Sequence, residues 1–399
     1  MDSNSPFRSR DYRYLLTGNA TSNLGLQMLN VAVGWDLYQQ TRSALVLGNV
    51  GFVQVVPFLL FALLAGGFAD THDRRRIMIL TQSLIVLSAV LLLVAPSSVA
   101  LIYACLFLKA TARAFQGPAR MATLPNVVPP AALRGAITWH SSVHEIANVS
   151  GPAAAGFLVA AAGSKAVYLA HFLSSAVALA SFFLLKPRAI QAPQAGTSML
   201  EGVRFVRDNK LVFSALSLDM FAVLFGGATA LLPIYAVDIL QVGATGLGWL
   251  RAAPSIGAMS MALLLANVLV IHQPGRILLW SVAGFGLATI VFGLSKSFWL
   301  SMAMLLLVGA LDNISVVLRH SLVQTETPDW VRGRVLAVNN IFISCSNQLG
   351  AVESGWAAAL LGAVGSVVFG GFATIAIVGF FAWRFTGLRR WTMAGSQSR

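Results

Sequence analysis

Charge is what this chain has least of. Asp, Glu, Lys and Arg make up 10% of its 399 residues, against about 25% in an ordinary soluble domain. With 57% hydrophobic residues and a mean hydropathy of +0.76, a soluble fold is excluded, because one core stops growing near about 250–300 residues and could not hide so much apolar surface. Cysteine is scarce too. Cys105 and Cys345 stand apart inside apolar runs, so no disulfide framework or thiolate metal site is expected, and both read as small buried hydrophobes. No Gly-x-x-x-x-Gly-Lys run occurs, which argues against ATP-driven work by this chain alone, and no HExxH or metal-spaced cluster occurs either. No catalytic constellation, cofactor or metal is therefore expected. Acid is the scarcer charge, with 14 acidic residues against 27 Lys and Arg. The surplus does not point to nucleic acid: the basic residues sit in short gaps between apolar runs, without the interleaved aromatics that stack on bases.

What the chain has is long apolar runs. A membrane helix needs about 20 largely apolar residues, and these runs are too continuous for the alternating strands of a barrel. The runs predict twelve transmembrane helices, an all-α polytopic protein. The spans are Leu15–Gln39, Val46–Ala69, Ile77–Val94, Leu101–Arg120, Thr138–Ala162, Val167–Leu185, Leu211–Leu240, Leu247–Ile271, Ile277–Leu294, Trp299–Leu318, Leu336–Leu361 and Val367–Phe385. The first is broken by Asn19, Asn23, Gln27 and Asn30 and lacks a small-residue cleavage site, so it reads as a membrane helix rather than a signal peptide.

The basic residues set the orientation. Only Arg42, Lys165 and Lys296 fall on one side, and Lys109, Arg113 and Arg251 fall within spans; the other 21, from Arg8 to Arg399, share the side of both termini. That side is expected to be the cytoplasm. The break Lys186–Lys210 holds Pro187, Pro193 and Gly196 around an amphipathic piece, Met199–Arg207. The expected organisation is a six-helix half over 1–186, a cytoplasmic linker over 187–210 and a second six-helix half over 211–399.

The halves repeat. Displacing the chain by 199 residues brings Arg120 onto Arg319, Pro129 onto Pro328 and Asn148 onto Asn347, and Gly151, Gly156 and Gly163 onto Gly350, Gly355 and Gly362. Two parallel halves related by an axis along the membrane normal are a transporter architecture, although a repeated bundle could also be a scaffold. Asn19, Asn23, Gln27 and Asn30 recur at three- and four-residue spacing and share one helix face, which should line a water-filled path or make helix–helix hydrogen bonds.

Three motifs carry a resemblance. Gly66-Gly67-Phe68-Ala69-Asp70-Thr71-His72-Asp73-Arg74-Arg75-Arg76 resembles the gating loop between spans two and three of the major facilitator superfamily. Gly66, Asp70, Arg74 and Arg75 stand in the motif positions, while Thr71 and Asp73 depart from the usual basic residue and glycine. Arg113-Ala114-Phe115-Gln116-Gly117 in span four resembles its Arg-x-x-Gln-Gly pattern. Gly151-Pro152-Ala153-Ala154-Ala155-Gly156 in span five resembles, with Ala155 in place of one glycine, the Gly-Pro-x-x-Gly-Gly helix-packing motif of the drug:proton antiporter branch. The runs 327–335 and 247–254 resemble the enterobactin-exporter-like group. On physical grounds Gly and Ala allow close backbone approach and Pro152 a bend.

The resemblance implies two pseudo-symmetric six-helix bundles, with spans one, four, seven and ten around a central cavity. It implies a secondary transporter that exports a small molecule, siderophore-like or an amphiphilic drug, from a bacterial inner membrane in exchange for protons. The protein would work as a monomer whose partners are that substrate, protons and the lipid bilayer. Lipid or lysolipid movement is the alternative within the same architecture; a membrane-embedded enzyme or a transport-dead receptor is the alternative in another class. The cavity candidates are Asn19, Asn23, Gln27, Asn30, Lys109 and Arg113, with His144, Glu145, Asp219 and Asp312 as further cavity or proton-coupling groups. Arg113 and Asp312 are repeat counterparts of opposite charge, which suggests an ion pair across the halves; the alternative pairs Arg113 with Glu145.

Overall fold

The computed structural model describes residues 5–94, 98–186, 199–267 and 273–392. Among these the secondary structure is helical. Helices α1 (Arg10–Thr41), α2 (Ala44–Thr71), α3 (Arg74–Val94), α4 (Val99–Thr123), α5 (Leu133–Ala162) and α6 (Ser164–Leu184) are followed by the amphipathic α7 (Met199–Asp208). Then come α8 (Lys210–Phe225), α9 (Leu232–Ile234), α10 (Gly243–Asn267), α11 (Pro274–Leu294), α12 (Phe298–Glu326), α13 (Asp329–Arg384) and α14 (Thr386–Arg390). Side-chain oxygens that accept orphan backbone donors start several of them: Ser9 takes Tyr12 N, Ser98 takes Leu101 N, and Asn209 takes Leu211 N and Val212 N.

Among the described residues, ten helices are long and apolar enough to cross a membrane. The polar face of α1 keeps it out of that set. In contrast, α13 is too long for one crossing: 56 residues at about 1.5 Å each span nearly three times the ~30 Å hydrocarbon core. It is broken at Gly362, whose φ 76°, ψ 164° are not helical. Adding α1 and dividing α13 at that residue is consistent with the twelve expected spans. Gly163, between α5 and α6, has φ 77°, ψ 171°, nearly the same backbone state 199 residues earlier. Pro129 (φ −64°, ψ 151°) and Pro328 (φ −58°, ψ 149°), just before α5 and α13, match in the same way. The repeat read from identities is thus also a repeat of backbone conformation.

Span seven departs from the expected single helix. After α8 the chain runs through Gly226 and Gly227, a 3-10 turn (Ala228–Leu231), α9 and a π-helical turn (Tyr235–Ile239). Leu240 N closes that turn on Tyr235 O at 2.8 Å. A proline at 233, which cannot donate to the preceding turn, coincides with the change of winding. Of the expected linker, residues 187–198 lie outside the described residues; the amphipathic piece beyond them is α7.

The helices gather into two compact units, one of Met1–Arg42, Val53–Ala195 and Gly243–Ala252, the other of Ser43–Phe52, Gly196–Val242 and Ala253–Arg399. In the first, α1 packs along α5 and α6, and α3 along α4 and α6. In the second, α13 packs along α8 and α11, and α11 along α12. Both units turn apolar side chains outward and hold polar ones inside. Trp280, Trp299 and Leu360 are more than three-quarters exposed. That inversion suits lipid as solvent, where apolar side chains cost nothing outside and polar groups must find partners within.

Candidate functional site

In the first unit the polar face of α1 meets α4 and α5. Asn19 and Asn23 are buried. Asn19 Nδ2 lies 3.3 Å from His140 Nδ1 on α5, and Asn23 Oδ1 accepts from Arg113 Nη2 on α4 at 3.5 Å. Gln27 Nε2 donates to Asn148 Oδ1 at 2.5 Å, and Asn148 Nδ2 donates to Glu145 Oε2 at 3.5 Å. Asn30 is half-buried one turn further along the same face. His144 is exposed beside the half-buried Glu145. The structure therefore brings Asn19, Asn23, Gln27, Arg113 and Glu145 into one polar wall, built because i, i+4 spacing stacks them on adjoining helix faces.

Lys109 lies one turn from Arg113 on α4 and is 2% exposed; its Nζ has no hydrogen-bond partner among the described residues. His171 on α6 is buried as well, against the backbone of Gly25. A buried cation next to another, with no carboxylate paired to it among the described residues, is expensive to hold, so this region is primed for negative charge. Sequence reading missed His171 and the amide cluster near it. Gln82 Oε1 accepts from Gln116 Nε2 at 2.9 Å and from Ser22 Oγ at 3.4 Å, while Gln82 Nε2 donates to Ser175 O at 3.1 Å. Gln82, the one amide in α3, was the available signal, since a lone amide in a membrane helix needs an interior partner.

In the second unit Asp219 on α8 forms an ion pair with Arg319 on α12, both side chains buried. Arg319 and its repeat counterpart Arg120 read from sequence as flanking basic residues; both are buried instead. The apolar count of a span cannot show a charge that folds back inside the bundle. Asp312 shares with Asp219, Ser315 and Phe285 a cavity of about 10 Å³, roughly one water site. Glu353 accepts from Ser354 Oγ at 3.4 Å.

The arginines at the start of α3 act as helix caps. Arg74 Nη1 donates to Ala122 O at 3.0 Å, in the last turn of α4, and Arg74 Nε to Ala69 O at 3.4 Å near the end of α2. Arg75 Nη2 donates to Phe183 O at 2.5 Å in the last turn of α6. Arginines on orphan carbonyls at helix C-termini also meet the negative end of each macrodipole. Arg76 pairs with Asp73 at 3.6 Å. Gly66 has open space where a Cβ would stand; the side chain of Asp70 lies outside the described residues. In the packing motif, a Cβ on Gly151 would strike Gln27 Cβ at 2.6 Å, and one on Gly156 would strike Ala244 O at 2.6 Å and Gly248 Cα at 2.8 Å. Gly151 thus seats α5 on α1 and Gly156 seats it on α10, with Pro152 inside the helix between them.

Repeated helical halves, charged and amide side chains turned inward, and loop arginines capping three helix ends define an integral membrane transporter of the major facilitator type. The chain belongs to the family described as transmembrane secretion effectors, whose model matches residues 1–399. It is 26% identical over 376 residues to the enterobactin exporter EntS of Shigella boydii, covering 92% of this chain and 89% of that one. It is 26% identical over 363 residues to the multidrug efflux pump Tap of Mycolicibacterium fortuitum, covering 86% and 87%. Among solved structures, a bacterial homolog of the human lysosomal transporter Spinster, inward-facing and occupied, superposes with a TM-score of 0.76. Its identity is 16%, and the match covers 98% of this chain and 100% of that one, which speaks for the fold.

Proposed function

We propose that this protein exports a small, siderophore-like or amphiphilic, negatively charged molecule across a bacterial inner membrane by alternating access, in exchange for protons. The observation that carries the reading is the pair of cations on α4, Lys109 buried and Arg113 half-buried. Lys109 and Arg113 are one turn apart, Arg113 is met by an amide, and Lys109 Nζ has no partner among the described residues. Opposite charge arriving with a substrate would offset the cost of keeping them in the membrane interior. The relatives named for a siderophore and for drugs support the same class.

On this reading both termini are cytoplasmic and the protein works as a monomer. Residues 1–186 and 211–399 are its halves, joined by the linker 187–210. Asn19, Asn23, Gln27 and Asn30 present the amides of the substrate path. Asp219 is occupied by Arg319, so of the three candidate carboxylates Glu145 and Asp312 are left to carry a proton, with His144 beside Glu145. Arg74 and Arg75 hold the cytoplasmic helix ends, with Gly66 and Asp70 as the other positions of the gating-loop motif, and Gly151, Pro152 and Gly156 hold α5.

Reconstituted vesicles with an internal pH indicator test this. Adding a catecholate or carboxylate siderophore under an imposed proton gradient should produce substrate-dependent proton flux. Glu145→Gln or Asp312→Asn should abolish the flux while binding persists. Proton flux with cationic drugs but with no anion would reject the charge assignment; no flux with any compound would reject coupling.

A further inference from the structure

α11 and the second half of α13 leave between them a groove of about 500 Å³ on the second unit. Its chemistry is graded along the helix axes. At the lip stand Arg276, in the first turn of α11, and Arg389, in α14. Both are exposed, and neither is in an ion pair among the described residues. Trp280, one turn deeper, is 76% exposed. Below it the walls are Ala283 from α11 and Ala382 and Val378 from α13. From Arg276 to Ala283 the helix descends about 10 Å. The lip is held in place by the backbone, since Gly275 N donates to Trp391 O at 3.3 Å and ties the end of α14 to the start of α11.

We propose that this groove is a binding site for an anionic glycerophospholipid, with its phosphate between Arg276 and Arg389 and an acyl chain along Ala283, Ala382 and Val378. Two arginines without a carboxylate among the lining residues match a headgroup of net negative charge, and they would repel the ammonium of a zwitterionic lipid. A tryptophan at this depth places its indole N–H at headgroup level and its rings against the acyl region. Small and apolar walls below the cations suit an acyl chain, a feature that a free inorganic anion would not use. Basic pockets between membrane helices on the cytoplasmic side take such headgroups. The assignment rests on the membrane orientation proposed above, but not on transport.

The test is lipid titration of the delipidated, detergent-solubilised full chain, followed by intact-complex mass spectrometry. Phosphatidylglycerol should bind at one site, and phosphatidylcholine should bind at least about tenfold more weakly. Arg276→Ala combined with Arg389→Ala should weaken phosphatidylglycerol about thirtyfold, at about 1 kcal/mol per arginine near the surface. Arg276→Lys with Arg389→Lys should keep most of the affinity. Ala283→Trp, which leaves both cations and fills the groove, should weaken binding as well and separates lipid seating from attraction of a bare phosphate. Equal binding of the two lipids by the wild-type protein, or an Ala pair that binds phosphatidylglycerol as tightly as the wild type, would overturn the site. Because the readout is mass rather than flux, a failure here is distinguishable from a failure of the export reading.

Discussion

The Asp219–Arg319 pair and Lys109, whose Nζ has no partner among the described residues, are opposite solutions to one problem, a charge inside a membrane bundle. Removing one member of a buried pair leaves the other uncompensated, at about 3–5 kcal/mol, while replacing both by apolar groups is often neutral. Asp219→Asn should therefore lower the melting temperature of the purified protein by several degrees, and Asp219→Leu with Arg319→Met should recover most of the loss. Lys109→Met strands no such partner. It keeps the length of the side chain and removes the desolvated ammonium, so its melting temperature should equal or exceed that of the wild type. Export of an anionic substrate should fall by about tenfold or more in the same variant, since one cation of the pair that would meet the anion is gone. A variant that loses both stability and export together would make Lys109 a structural residue instead.

At the scale of the helix, backbone geometry decides what substitution costs. Gly163 and Gly362 have open space around a would-be Cβ, so sterics with neighbours do not explain them; their positive φ does. Alanine at either position should cost about 1–3 kcal/mol, the usual strain of a side chain in such a region, read as a shift in the denaturant midpoint. Gly156 is the reverse case, a helical glycine whose Cβ would meet the backbone of α10. Gly156→Leu should disrupt the α5–α10 crossing outright, seen as loss of monodisperse protein in detergent. The arginine caps belong to this scale too. Arg74→Gln removes a guanidinium from the carbonyl ends of α2 and α4 and should cost about 0.5–2 kcal/mol. Arg75→Gln should do the same at α6. The charge-preserving variants Arg74→Lys and Arg75→Lys should recover part of each loss, because a lysine keeps the charge but not the forked donor geometry.

For the whole molecule, the 199-residue repeat governs organisation, and its signs survive in the backbone as well as in the sequence. Function diverges where the halves differ. The position that holds Asp312 in the second unit holds Arg113 in the first, where it donates to the amide of Asn23. Reporter fusions at the two ends should both be active in the cytoplasm, the outcome expected from the clustering of basic residues on that side; an external reporter at one end only would mean an odd number of crossings, and at both ends an inverted orientation.

Residence in lipid, a crossing number of about twelve and the place where the halves repeat all follow from the order of residues alone. These properties depend on the summed hydropathy of about 20 residues at a time and on charges between runs, so no fold is needed to see them. The α1 amides, Arg113 and the loop arginines also stand out in the chain, as polar exceptions or motif positions. What each of them touches is settled by packing. Asn19, Asn23 and Gln27 share a face by spacing, yet their pairing with His140, Arg113 and Asn148 depends on which helices lie beside that face. The same holds for Arg319, a flanking charge by hydropathy and a buried ion-pair partner in the folded bundle. Helical periodicity states which way a side chain leaves its own helix, and it carries no information about what stands opposite.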